Sequence, residues 1–97
     1  MLFVVIAIDK ENGLPLRMAT REAHFAYLRD TPGVLRLGGP FFNAKGEMNG
    51  SLMIVEAESL EAAKTWHASD PYVKAGVFAS SEVRSWKATA NPIEAKF

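Results

Sequence analysis

Cysteine is absent from the 97 residues, which removes disulfides, zinc–thiolate sites and thiolate nucleophiles together. Neither sign of charge is in excess: eleven basic and eleven acidic side chains balance, and lysine and arginine form no run. Electrostatic capture of nucleic acid or of an anionic membrane is therefore not supported. Long hydrophobic stretches are missing too. The apolar opening MLFVVIAI is closed by Asp9, Lys10 and Glu11 far short of a membrane span, with no basic leader region and no small-residue cleavage pattern. It reads as a buried strand in a protein kept in the cytoplasm, with no membrane partner. Two histidines and scattered carboxylates lack metal-ligand spacing, so neither a metal nor another cofactor is expected.

A composition of 48% hydrophobic and 23% charged residues describes one domain over residues 1–97, with no room for a second core. A chain of this size buries only about 60–65% of its unfolded surface, so an uncovered sheet face would be a large share of its apolar area. A homodimer is the expected remedy.

Leu2 to Ile8 is rich in β-branched residues and reads as a central strand covered on both faces. From Arg17 to Asp30, Met18, Arg21, His24/Phe25 and Leu28 recur at helical spacing, until Thr31-Pro32-Gly33 stops the helix. Val34 to Phe42 reads as a strand interrupted by Gly38-Gly39-Pro40, a triplet suited to a bulge or a close approach of backbone to ligand. After the Asn43–Gly46 turn, Gly50 to Ala57 completes a hairpin. Ser59 caps a second helix from Leu60 to about His67, and Val77 to Trp86 supplies the last strand. The polar tail from about residue 88 shows no core pattern, and poor order is expected there. The order βαββαβ predicts an α+β, ferredoxin-like fold: an antiparallel sheet with both helices on one face.

Several separated motifs then fall into place. Arg21-Glu22-Ala23-His24 on the first helix, Gly38-Gly39-Pro40, Gly50-Ser51, Asp70-Pro71-Tyr72 after the second helix, and Trp86 on the last strand together resemble the YciI-like (YCII-related) family, over nearly the whole chain. The resemblance implies a dimeric ferredoxin-like or α+β-barrel fold and an active-site dyad matching His24 and Asp70. One branch of that family is similar to dehydrochlorinases of chlorinated hydroquinones.

A histidine beside a carboxylate is a working acid–base unit, because the carboxylate fixes the imidazole tautomer and stabilises the imidazolium. Each candidate also has a plainer reading. His24 fits a half-buried helix residue bonded to a backbone carbonyl, and Asp70 before Pro71 fits a helix N-cap, a role compatible with holding His24. Arg21, one turn before His24, suits an anionic substrate group or a surface ion pair. Gly39, Pro40 and Ser51 suit a pocket wall or a bulge; Tyr72 and Trp86 suit stacking on a substrate, the core or a subunit interface. His67, near a helix C-terminus, reads as a solvated surface residue.

Two functions follow. One is a small-molecule enzyme using His24 and Asp70 for elimination or hydrolysis of a small, cyclic or aromatic substrate, with Arg21, Gly39, Pro40, Ser51 and Tyr72 in contact with it. The alternative is a non-catalytic dimeric module that binds a small ligand. RNA recognition by the sheet is excluded, since GSLMIVEA offers neither an aromatic nor a basic residue.

Overall fold

Alternation in the first strand sets the architecture. In the computed structural model, which describes Met1–Phe97, β1 (Leu2–Asp9) buries Phe3, Val5, Ala7 and Asp9 on one face. Leu2, Val4 and Ile6 on the other face are only half-covered, and Ile8 is exposed. The chain continues as α1 (Leu14–Asp30), β2 (Leu35–Phe42), β3 (Met48–Glu56), α2 (Leu60–Ala68), α3 (Pro71–Lys74) and β4 (Phe78–Trp86). The strands form one antiparallel sheet in the order β2-β3-β1-β4, the ferredoxin-like topology. β1 is central, as its composition predicts, but the expectation of cover on both faces is corrected. The core cluster forms on the Phe3–Val5 side; Ile54 is the one large apolar side chain buried on the other face, and most of the Leu2–Ile8 side stays open.

Register explains the core. Val5 pairs with Met53 and Phe3 with Val55, which puts all four on one face of the pleat. Ala63 and Trp66, one turn apart on α2, complete that cluster. Burying each large apolar side chain contributes about 1.5–3 kcal/mol. The C-terminal end of α1 is tied to α2 by Tyr27, whose hydroxyl donates to the Trp66 carbonyl (2.8 Å), and by Trp66, whose Nε1–H donates to Thr31 Oγ1 (3.0 Å).

The β2–β3 hairpin holds one correction and one close approach. Gly38, Gly39 and Pro40 stay in ladder register with Met53, Leu52 and Ser51, and the irregularities flank the triplet, at Leu35/Leu37 and Phe41/Phe42. Pro40 is tolerated because β2 is an edge strand. At Gly50 a β-carbon would lie 2.6 Å from the Ala7 carbonyl oxygen and 3.0 Å from the Phe41 ring, so only glycine lets β3 approach β1 there.

α1 starts three residues earlier than its apolar periodicity predicts, with Pro15 in its first turn and no side-chain cap. Past β4 the tail forms no helix or strand, although Asn91 exchanges hydrogen bonds with Ala95 and the Phe97 ring meets Trp86 edge-on. No helix is long and apolar enough to cross a membrane.

Candidate active site

Helical spacing places Arg17, Arg21 and His24 along one stripe of α1, and β3 brings Ser51 opposite them. Asp70, the N-cap of α3, sits in extended geometry (φ −63°, ψ 130°) and accepts the Tyr72 amide at its Oδ1 (2.9 Å). Its carboxylate is fully buried, and both of its oxygens lie within reach of His24 Nδ1, at 2.9 and 3.0 Å. One carboxylate thus caps a helix and holds an imidazole. With Nδ1–H donating to Asp70, Nε2 is the nitrogen left without a partner in the chain. The His24 ring is also clamped against Tyr72, with centroids 4.0 Å apart and planes 14° from parallel.

A second buried polar group lies beside the first, and the sequence reading missed it. The Arg17 guanidinium donates from Nε to Asp9 Oδ2 (2.8 Å) and from Nη2 to Asp9 Oδ1 (3.0 Å) and Ser51 Oγ (2.7 Å). The same guanidinium lies 4.7 Å from the Tyr72 ring centroid. Asp9, read from the sequence as the start of a polar turn, is the last residue of β1 and is buried. Two signals pointed to the pair. Asp9 continues the Phe3, Val5, Ala7 alternation, and Arg17 precedes Arg21 and His24 on the helical stripe.

Beside these two pairs lies a cavity of about 230 Å³ between α1 and the β2–β3 hairpin. Arg17, Arg21, His24, Ser51 and Tyr72 supply its polar wall, and Phe25, Leu28, Leu35, Met48 and Met53 much of its apolar wall. Pro40 faces the cavity with its register partner Ser51; Gly39 faces the other side with Leu52 and borders the cavity only through its backbone. Arg21 stands exposed at the rim over the Phe25 ring (5.2 Å) and makes no ion pair. Trp86 lies outside the cavity, on the open face of the sheet.

His67 corrects a sequence expectation. It is buried rather than solvated, its ring stacks on Phe78, and neither ring nitrogen has a hydrogen-bond partner. Burial pushes its pKa below the ordinary 6.5; the Asp70 charge works in the other direction, and His24 adds to the lowering. The phenol of Tyr72 is pushed above 10.0 by burial, against the pull of Arg17 and Arg21, so it stays neutral at physiological pH. No group of three or more His, Asp or Glu side chains is arranged to hold a metal ion.

A ferredoxin-like sheet with a buried His–Asp pair opening on a cavity defines the class of protein. The chain belongs to the YCII-related domain family, which it matches over residues 1–87. It is 41% identical to protein YciI of Escherichia coli, across 90% of this chain and 97% of that protein, and 40% identical to a Haemophilus influenzae protein over the same shares. Among solved structures it is similar to 5-chloro-2-hydroxyhydroquinone dehydrochlorinase (TftG) from Burkholderia phenoliruptrix, in complex with 2,5-dihydroxybenzoquinone. That likeness has 36% identity and a TM-score of 0.83, over 90% of this chain and 94% of that one. A Bacteroides antibiotic biosynthesis monooxygenase-like structure, 17% identical with a TM-score of 0.61, shares the fold alone.

Proposed function

We propose that the chain is a small-molecule enzyme in which His24, oriented by Asp70, moves a proton to or from a substrate held in the cavity between α1 and the β2–β3 hairpin. The observation that carries this reading is the bond from His24 Nδ1 to a fully buried carboxylate, which leaves Nε2 without a protein partner beside the cavity. A carboxylate in that position stabilises the imidazolium formed when Nε2 accepts a proton. Elimination or hydrolysis of a small cyclic substrate is the reaction class that this unit serves. Likeness to TftG, a dehydrochlorinase, supports elimination from a hydroxylated, chlorinated ring. In such a step Nε2 takes a proton from the ring system, the electron pair forms a new double bond, and chloride leaves with its bonding pair. Ser51 is bonded to Arg17 rather than to the imidazole, so a serine acyl-enzyme is not part of the reading.

Chloride release from 5-chloro-2-hydroxyhydroquinone, followed alongside quinone absorbance, tests the proposal. His24→Asn should slow release by about 10²–10⁴-fold. Asp70→Asn, which keeps a capping side chain, should remain folded and slow it less. Unchanged release in His24→Asn would remove the histidine from the reaction. Saturable binding of 2,5-dihydroxybenzoquinone with no turnover of any chlorinated hydroquinone would instead favour a ligand-binding module.

A further inference from the structure

The Arg17 guanidinium is only partly used by the protein. Its Nε–H and both Nη2 N–H groups are committed to Asp9 and Ser51, and the Tyr72 phenol also accepts from the guanidinium, which leaves one N–H donor over on Nη1. The side chain is only 4% exposed, and it forms part of the cavity wall. A buried cation with N–H donors left over at a cavity surface is costly unless something accepts from them.

Ser51 points the same way. Its oxygen accepts from Arg17 Nη2 at 2.7 Å, so a lone pair is occupied and its own O–H has no acceptor in the chain. Charge-assisted donation from Arg17 polarises that hydroxyl and strengthens it as a donor. Side by side, Nη1 and the Ser51 hydroxyl present hydrogen-bond donors to one wall of the cavity. Asp9 cancels the net charge of Arg17, which makes this a directional site for one anionic oxygen rather than a general anion trap.

We propose that Arg17, with the Ser51 hydroxyl that it orients, holds an anionic enolate- or phenolate-type oxygen of a ligand in this cavity. The inference rests on reading the cavity as the substrate site. The neutral Tyr72 phenol adds no opposing charge. Arg21, exposed at the rim, is screened by solvent and attracts anions without fixing them. When His24 Nε2 removes a proton from the ligand, the electron pair left behind is delocalised onto the oxygen that Arg17 and Ser51 hold. Proton and charge thereby part onto separate groups, and no oxidant is required.

The test uses 4-nitrophenol, whose absorbance reports its own ionisation, titrated with the full chain and its variants. Bound to wild type, the phenol should ionise at lower pH than it does free in solution. Ser51→Ala, which leaves the Arg17–Asp9 pair in place, should weaken phenolate binding by about tenfold or more and return the ionisation toward the free value. Arg17→Met alone would strand Asp9 in the interior, so the arginine is tested as Arg17→Met with Asp9→Leu, which should lose the ionisation shift while a urea transition confirms folding. Arg21→Gln should retain most of the shift. An unshifted or unbound phenol in wild type, a full shift in Ser51→Ala, or a shift lost in Arg21→Gln or His24→Asn but kept in Ser51→Ala would overturn the proposal. Turnover is not read, so a chain that selects phenolate through Ser51 yet converts nothing would defeat the enzymatic reading and leave this one standing.

Discussion

Asp70 and His67 sit three positions apart and meet opposite fates. Asp70 satisfies a helix amide and an imidazole with one carboxylate, so its complete burial is compensated. His67 is nearly as deep, yet its ring nitrogens bond to nothing, and its only specific contact is the face of Phe78. Burial holds its folded pKa below 6.5, while the unfolded chain keeps the ordinary value. The unfolded state therefore binds the extra proton first as pH falls. Stability from the neutral ring is complete above pH 6.5 and is lost as pH drops through the folded pKa. His67→Phe should accordingly flatten the dependence of unfolding free energy between about pH 7 and pH 5, and should raise stability at acid pH by about 1 kcal/mol as the unpaired polar atoms disappear. Urea melts across that range check it; a slope identical to wild type would show that His67 is not the titrating group. The sequence marked Asp70 through its proline, but it gave no sign that His67 was buried. A histidine near a helix C-terminus has a good reason to be solvated, and only the packing of β4 against α2 removes that freedom.

At the scale of elements, β1, the β2–β3 hairpin and α2 were legible because period-two alternation, turn residues and a serine cap each have a local cause. The first turn of α1 and the end of β1 were read less well, since the alternation through Asp9 and the stripe through Arg17 place each residue on an inward face but do not say that the two meet. The hairpin also sets the width of the cavity. Gly38 shares a face with Met53, and a β-carbon there would lie 3.2 Å from Leu35 Cδ1 and 3.3 Å from Met53 Cγ, both cavity-lining side chains. Gly38→Val should fold, because β2 is an edge strand able to shift, at a cost of about 1–3 kcal/mol. Its larger side chain should push Leu35 and Met53 inward and weaken binding of 2,5-dihydroxybenzoquinone. Calorimetric titration showing wild-type affinity in a folded Gly38→Val variant would place the ligand elsewhere.

For the whole molecule, the order of elements carried the fold, because βαββαβ with short connections leaves few alternatives to this topology. What order alone does not settle is how the outer face of the sheet is covered. Leu2, Val4, Ile6 and Ile8 of β1 share that face with Leu37 of β2, Leu52 of β3 and Trp86 of β4, with Glu82 and Arg84 of β4 at its margin, and Leu37 is 52% exposed. An apolar strip of this kind, bordered by a charged edge strand, favours self-association in a small chain. We expect a homodimer built on it. Sedimentation of the 10.6 kDa chain at about 10 μM should give a species of two chains, and Leu52→Glu should give one chain with its fold retained. A wild-type chain that sediments as a monomer would count against the pairing.

Proton transfer in the cavity depends on which nitrogen of His24 is free. Ring ¹⁵N NMR of histidine-labelled protein measures this directly, and because the chain has two histidines, His67→Phe leaves a single ring to observe. At a pH where imidazole is neutral, His24 should carry its proton on Nδ1, bonded to Asp70, with Nε2 showing the shift of an unprotonated ring nitrogen. A ring protonated at Nε2, with Nδ1 bare beside the Asp70 carboxylate, would contradict it.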